Sequence, residues 1–156
     1  MANRTGTGLT EDHPELTTYF EGEIIGPKYS FHTQHEDWGA SEKVDLQHWS
    51  KFSEFDEFKK QAKAKNTKLH LTHVAQRKTI FMRWKEHFLV PDHRIKALSG
   101  ASFEGFYYIC FNQLEGKVSG IYFHAKSEKY VYRMVIILRL FANVTCKIST
   151  VDTISC

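Results

Sequence analysis

Glu86 stands at the end of a line of apolar side chains in the stretch Thr-Ile-Phe-Met-Arg-Trp-Lys-Glu, residues 79–86. If this stretch is a strand, successive side chains point to opposite faces, and one face carries Ile80, Met82, Trp84 and Glu86. The three apolar residues predict that this face is buried. An ionised carboxylate among apolar groups is costly unless a cation or hydrogen-bond donors meet it. A carboxylate at this place suggests a pocket that receives a positive charge. Because strand ends are the least certain part of such a prediction, this stretch alone favours the alternative, in which the strand ends at Lys85 and Glu86 turns into water.

Two adjacent phenols, Tyr107 and Tyr108, lie in a second predicted strand, Phe103–Phe111, which is apolar on both faces. A buried phenol needs a hydrogen-bond partner, so the tyrosine that points inward is expected to meet a polar group. Gly105 in the same strand would let a neighbouring backbone or a ligand approach closely. A strand with one face in the core and the other under a helix would also explain the apolar composition, but not the two adjacent phenols.

Other chemistries find little support in the residue spacing. The nine histidines include His70 and His73, which a strand would direct to opposite faces, and the three cysteines are not at zinc spacing. The Ser-Gly-Ala-Ser run at 99–102 lacks the nucleophile elbow of α/β-hydrolases, and the sequence has no glycine loop of the kind that cradles phosphate. We therefore predict no metal site, no cofactor and no enzymatic activity.

The composition predicts one globular domain. The chain has 156 residues, 42% of them hydrophobic and 14% aromatic, which suffices for a sizeable core rich in strand-forming residues. The net charge of +3 gives no nucleic-acid footprint, and no apolar run reaches the roughly 18 residues of a membrane span. Three cysteines cannot form a paired framework, and the N-terminal residues are not an apolar signal segment. These features predict a location in the cytoplasm, with the nucleus as a second possible compartment.

Periodicity predicts a single helix within a set of strands. Apolar residues recur at three- and four-residue steps over Lys43–Lys65, which indicates an amphipathic helix whose aromatic stripe packs in the core. β-Branched and aromatic runs predict strands at the following segments: Leu16–Ile25, Leu69–Val74, Thr79–Val90, Phe103–Phe111, Ser119–His124 and Tyr130–Phe141. Residues 1–8 are predicted to be disordered, and Pro91–Ser102 to be a loop of the kind that carries binding residues. The fold class is therefore mainly β and antiparallel, with a closed sheet or two packed sheets.

Several sequence blocks resemble one known family. The longest combines Ile-Phe-Met-Arg-Trp-Lys-Glu-His-Phe-Leu-Val-Pro-Asp-His-Arg-Ile at 80–95 with Ser-Gly-Ala-Ser-Phe-Glu-Gly-Phe-Tyr-Tyr-Ile-Cys-Phe at 99–111. Leu-Thr-Glu-Asp-His-Pro-Glu-Leu at 9–16 and Gly-Ile-Tyr-Phe-His at 120–124 stand in the expected order around it. Over residues 8–128 the chain resembles the vacuolar import and degradation family, the substrate receptors of the GID/CTLH ubiquitin ligase.

This resemblance implies an antiparallel β-barrel, calycin- or lipocalin-like, with an inserted amphipathic helix. It implies a non-catalytic receptor that binds target proteins by an N-terminal proline, for ubiquitination and proteasomal degradation. Glu86 and Tyr107 would hold the N-terminal amine, and Ser102 and Tyr122 would bond the first peptide groups. The apolar wall around the proline ring and the next side chain would consist of Leu9, Leu16, Leu89, Ala101 and Phe103.

The chain departs from the family pattern at both ends. Family members carry further strands before the Leu-Thr-Glu-Asp-His-Pro block, whereas eight residues precede Leu9 here. Residues 129–156 no longer resemble the family, whose members end with a tail that anchors the receptor to the ligase scaffold. We therefore expect a receptor domain at 9–128, an incomplete, partly open barrel, and no docking to the scaffold through this tail. The alternative predictions are a small-molecule-binding β-barrel and a truncated, non-functional family member.

Overall fold

A computed structural model describes the chain over residues 2–10, 13–64, 68–90, 94, 97–98, 101–102, 105–126, 131–137 and 147–154. The strands in these residues are β1 (Ala2–Thr10), β2 (His13–Ile24), β3 (Thr79–Val90), β4 (Ala97–Leu98), β5 (Ala101–Ser102), β6 (Phe106–Asn112), β7 (Lys117–Phe123), β8 (Val131–Ile137) and β9 (Lys147–Ile154). The helices are α1 (Glu42–Trp49) and α2 (Lys59–Ala62), with 3-10 helices at Glu36–Trp38, Ser53–Phe55 and Val74–Gln76. The description covers the backbone alone for residues 2–10, 13–17, 89–90, 97–98, 101–102, 131–137 and 147–154.

Seven of the described strands form one sheet in the order β1-β2-β3-β6-β7-β8-β9, and its successive neighbours are antiparallel. A short parallel pairing between β1 and β9, at Thr5–Lys147 and Gly6–Ile148, joins the two ends of this order. β4 and β5 form a separate hairpin within the segment predicted to be a loop. The prediction of a mainly antiparallel β-protein is therefore confirmed.

Most of the predicted strands agree with the structure to within a few residues. β3 has the predicted bounds, and β2, β6, β7 and β8 overlap the segments predicted for them. The strand predicted at Leu69–Val74 is wrong. His73 has a φ of 53°, in the left-handed region, and a 3-10 helix begins at Val74. Leu71 is buried while Thr72 and His73 are exposed, so this segment closes over the core instead of joining the sheet.

Both ends of the chain contain strands that the sequence did not predict. Ala2–Thr10, most of which is predicted to be disordered, pairs with β2 from Ala2–Phe20 to Thr10–His13. Lys147–Ile154 pairs with β8. The N–H and C=O groups along a strand edge need partners, and segments that contain threonine and isoleucine supply them readily. The edges of β2 and β8 therefore recruit segments whose composition alone is a weak strand signal.

The predicted helix over Lys43–Lys65 is broken into short pieces. α1 ends at Trp49, Phe52 is extended with φ −95° and ψ 124°, and α2 begins only at Lys59. The residues flanking the break include serines, whose hydroxyls compete for backbone groups and favour turns over helix interiors. The prediction that the aromatic stripe packs in the core is confirmed, because these residues are buried: Trp49, Phe52, Phe55, Phe58 and Ala62. Within the described residues, no helix is long and apolar enough to cross a membrane.

Both faces of β3 are covered. The predicted burial of the Met82–Trp84 face is confirmed in part, because both side chains pack against the buried Ile109 and Val118, but the sequence did not predict that the opposite face is buried more completely. Phe81 and Arg83 on the opposite face are 1% and 0% exposed, whereas Met82 and Trp84 are half-buried. Arg83 is buried because Glu23 of β2 neutralises it, with the guanidinium Nε donating to Oε2 at 2.8 Å. A buried charge requires such a partner. The aromatic residues of the helical insertion, residues 31–62, pack on this Phe81 face.

A second buried charge joins α1 to the sheet. Asp45 is 1% exposed and accepts hydrogen bonds from the Thr33 amide at 2.6 Å, the Thr33 hydroxyl at 2.7 Å and the Tyr108 hydroxyl at 2.8 Å. Burial raises the pKa of Asp45 above its usual value of 3.8, and the three donors oppose the rise. Burial also raises the pKa of Tyr108. Tyr108 is therefore the phenol that lies under the helical insertion, and Asp45 is its polar partner.

We expect Tyr108→Phe to lower the free energy of unfolding by about 1–3 kcal/mol, because it leaves a buried carboxylate short of one donor. Tyr107→Phe is the matched control, since its hydroxyl lies farther from its carboxylate partner, at 3.5 Å, and we expect a smaller loss. Urea unfolding of the two variants measures both. Equal losses would contradict the assignment of Asp45 and Tyr108 as a structural pair.

The pKa of Asp45 also predicts a pH dependence of stability. Because the pKa is raised in the folded state, the contribution of Asp45 is fully present below pH 3.8 and is lost as the pH rises through the folded-state value. The difference in unfolding free energy between wild type and Asp45→Asn should therefore shift against the wild type as the pH rises from about 4. Chemical unfolding at a series of pH values gives this difference. A difference that moved in favour of the wild type would overturn the prediction.

Candidate functional site

Glu86 lies inside the protein and meets a hydroxyl from each neighbouring strand. Its side chain is on the Trp84 face of β3, and the residue is 4% exposed. The hydroxyl of Thr18 in β2 donates to Oε1 at 2.7 Å, and the hydroxyl of Tyr107 in β6 donates to Oε2 at 3.5 Å. The prediction that Glu86 is a buried carboxylate is confirmed, and the alternative that it turns into water is wrong.

A β-bulge in β3 follows Glu86 directly. Tyr19 pairs with Phe88 and Phe20 pairs with Glu86, so His87 is an extra residue opposite β2. A bulge bends its strand and increases the local twist. Beyond the bulge, Leu89 pairs with Thr18. The bulge therefore lies at the point where β2 and β3 bring Thr18 and Glu86 together.

Aromatic side chains surround the carboxylate on the same face of the sheet. The rings of Phe20 and Trp84 are 4.9 Å apart on one side, and those of Tyr107 and Tyr122 are 5.0 Å apart on the other. All four are half-buried, and this group with Glu86 is called the aromatic face below. Rings beside a carboxylate suit a cation that carries apolar groups, because the ring faces and the carboxylate both attract positive charge.

Tyr122 belongs to the aromatic face, a point that its sequence periodicity left open. It pairs with Tyr107 across β6 and β7, whereas its neighbours Ile121 and Phe123 are buried in the core cluster under the helical insertion. The Tyr122 hydroxyl accepts a hydrogen bond from the Gly105 amide at 3.1 Å. The register of β7 therefore places Tyr122 beside Tyr107.

The start of β6 is tied to β3 by a lysine on the other face. Lys85 Nζ donates to the carbonyl oxygens of Glu86 at 3.2 Å and Gly105 at 3.1 Å. A Cβ at Gly105 would overlap the Phe123 carbonyl oxygen and the Tyr122 ring. The predicted close approach at Gly105 is therefore confirmed, and the partner there is the protein's own backbone and Tyr122.

The structure brings together some of the residues that the resemblance assigns to the site. Glu86, Tyr107 and Tyr122 lie on one face, whereas Phe103 lies outside the described residues. For the remaining residues the structure gives the strand but not the side chain: Leu9 in β1, Leu16 in β2, Leu89 in β3, and Ala101 and Ser102 in β5. Their predicted contacts with a ligand stay predictions.

Sequence reasoning missed two residues of the site, Thr18 and Phe20. Thr18 donates to Glu86 and Phe20 pairs with it across β2 and β3, whereas strand alternation had already placed Trp84 on the Glu86 face. Thr18 and Phe20 are two residues apart in a strand, so the sequence alone predicts that they share a face. The sequence does not predict the register of β2 against β3, which brings that face to Glu86.

The structure defines a mainly antiparallel sheet protein in which a buried carboxylate lies among half-buried aromatic rings on one face. A family model described as vacuolar import and degradation protein matches residues 5–135, and the chain belongs to this family. The resemblance stated from the sequence blocks is thereby confirmed.

Similarity to individual proteins also supports the membership of this family. The glucose-induced degradation protein 4 homolog of Mus musculus is 49% identical over 123 residues, which cover 79% of this chain and 55% of the mouse protein. The GID complex substrate-recognition subunit 4 of Schizosaccharomyces pombe is 37% identical over 131 residues, covering 78% and 65%. Subunit 10 of the same description from Saccharomyces cerevisiae is 32% identical over 149 residues, covering 81% and 51%. The chain thus spans roughly half to two thirds of the length of these relatives.

Gly105→Ala is expected to lower the free energy of unfolding by about 1–3 kcal/mol, because backbone atoms must move to admit the Cβ. Gly22→Ala is the matched control on the same sheet, since its Cβ would lie 3.4 Å from Trp84 Cδ1, an ordinary contact. We expect Gly22→Ala to change stability by less than about 1 kcal/mol. Urea unfolding of the two variants measures both changes. A smaller loss of unfolding free energy in Gly105→Ala than in Gly22→Ala would contradict the prediction.

Proposed function

We propose that the chain is the substrate-recognition part of a GID-type ubiquitin ligase and that it binds the N-terminal amine of target proteins. The observation that carries the proposal is Glu86, a carboxylate 4% exposed among half-buried aromatic rings. The names of the relatives, glucose-induced degradation protein and GID complex substrate-recognition subunit, support the ligase assignment. In this proposal the chain recognises targets and performs no ubiquitin transfer itself.

The chemistry of a terminal amine fits the groups around Glu86. A protonated N-terminal proline has two N–H donors on a charged nitrogen. One donor would reach a Glu86 oxygen, and the other would reach the Tyr107 hydroxyl oxygen, whose own proton is directed to Glu86. The adjacent rings of Phe20 and Trp84 would pack against the pyrrolidine ring. Acetylation of the amine would remove both the charge and the donors.

In this proposal selectivity for proline depends on further residues, and the roles of their side chains come from the family resemblance alone. In the proposal Leu9, Leu16, Leu89, Ala101 and Phe103 form the apolar wall, and Ser102 and Tyr122 bond the first peptide groups. The pairing of Leu89 with Thr18, directly beyond the bulge, supports a place for Leu89 near Glu86. A wall that closes behind the amine would exclude a peptide with a residue before the proline.

The proposal also concerns the shape of the sheet and the setting of the receptor. We propose that the seven-stranded order closes as a barrel through the contact between β1 and β9, which involves two residue pairs. Such closure would hide the remaining sheet edges. We place the receptor in the cytoplasm with a GID complex as its partner, which the names of the relatives support, although we do not expect the tail at 129–156 to make that contact.

Calorimetry with a peptide that begins with proline tests the proposal. We expect a dissociation constant in the micromolar range, about −8 kcal/mol, and no detectable binding of the same peptide with an acetylated terminus. Glu86→Gln keeps the shape of the side chain and removes its charge, so affinity should fall by about 1.5–3 kcal/mol. Glu115→Gln, at an exposed residue in the β6–β7 turn, is the matched control and should bind as the wild type does.

Two outcomes would reject the proposal. Equal affinity for the free and the acetylated peptide would exclude amine capture. A fluorescent fatty acid bound tightly by the wild type and displaced by no proline peptide would favour the alternative of a small-molecule carrier, because half-buried rings also suit an apolar ligand.

A further inference from the structure

The two hydroxyls that meet Glu86 do so at different distances. Thr18 Oγ1 lies 2.7 Å from Oε1, whereas Tyr107 Oη lies 3.5 Å from Oε2. A hydroxyl that donates to an ionised carboxylate forms a strong bond at 2.5–2.7 Å, and a bond at 3.5 Å is at the outer limit. The Thr18 bond is therefore the stronger of the two.

Burial increases the effect of the Thr18 bond. Thr18 is 2% exposed and Glu86 is 4% exposed, so bulk water does not compete for either oxygen. A carboxylate in such surroundings remains ionised only where donors stabilise its charged form. The β2–β3 pairing fixes both residues, because Thr18 pairs with Leu89 and Phe20 pairs with Glu86 on either side of the bulge.

We propose that Thr18 is a positioning residue whose hydroxyl orients the Glu86 carboxylate and stabilises its ionised form. Tyr107, with its longer bond, is the group that turns toward a bound amine. Thr18 thus acts through Glu86, and selectivity for a charged terminus depends on a threonine that need not touch the ligand. The effect on binding rests on the proposed function, whereas the effect on the charge of Glu86 does not.

The first test needs no ligand. Protein labelled with carbon-13 at the glutamate carboxyl groups is titrated by NMR, and Glu86→Gln identifies the Glu86 resonance. Thr18→Val keeps the β-branched shape and removes the hydroxyl, so we expect the titration midpoint of Glu86 to move up by about one pH unit. Thr18→Ser keeps the hydroxyl and should leave the midpoint within about 0.3 units of the wild type. An unchanged midpoint in Thr18→Val would overturn the proposal.

The second test measures binding of the proline peptide across pH. Thr18→Val should bind about tenfold more weakly than wild type at pH 7, and its affinity should begin to fall at a higher pH on acidification. Thr18→Ser should bind with the wild-type affinity at pH 7, and its affinity should begin to fall at the wild-type pH. Tyr107→Phe should weaken binding with a smaller shift of this acid limb, because it removes a direct contact with the amine and only the longer bond to Glu86. A merely structural role for Thr18 would weaken binding without moving the acid limb.

Controls separate the failure of this inference from other failures. A thermal melt of each variant verifies folding, and Thr18→Ala replaces Thr18→Val if the valine variant does not fold. If the wild type binds no proline peptide, the proposed function fails, and the NMR titration still decides whether Thr18 controls the charge of Glu86. If the peptide binds and the Thr18→Val midpoint is unchanged, the proposed function stands and the role of Thr18 is rejected.

Discussion

The buried carboxylate of Glu86 constrains the sheet around it. A charge enclosed by aromatic rings is tolerable only where donors reach it, and here the donors come from both neighbouring strands, Thr18 in β2 and Tyr107 in β6. Their arrival requires a particular register on each side of β3. The bulge at His87 and the lysine that ties β3 to Gly105 lie directly beside this point. One of the irregularities of the sheet therefore lies where the charge must be held.

The two faces of the sheet serve different purposes. Under the helical insertion, each buried charge has a partner within the protein, Arg83 with Glu23 and Asp45 with Tyr108. The Arg83–Glu23 pair joins β3 to β2, whereas the Asp45–Tyr108 bond and the aromatic residues packed around Phe31 fasten the helices to the sheet. The opposite face carries half-buried rings around Glu86. The two adjacent tyrosines of β6 show this division most directly. Tyr108 stabilises the fold through Asp45, and Tyr107 belongs to the candidate site beside Glu86.

The sequence predicted the local features better than the non-local ones. Alternating side chains were sufficient for the bounds of β3 and for the face on which Glu86 lies, but they left open whether Glu86 is buried. The same alternation did not predict that the Phe81–Arg83 face is also buried, because Arg83 is neutralised by a glutamate 60 residues away and no local pattern reports that pairing. A regular apolar period also concealed the break after Trp49, since short α and 3-10 turns bury the same stripe. Thr18 escaped notice because its role depends on strand register.

A crystal structure of the protein with a peptide that begins with proline would test the central claim most directly. The account predicts that the terminal nitrogen lies about 3 Å from a Glu86 carboxylate oxygen, with the pyrrolidine ring against Phe20 and Trp84. A peptide whose first nitrogen lies away from Glu86, or a Glu86 side chain that faces solvent in the complex, would contradict it.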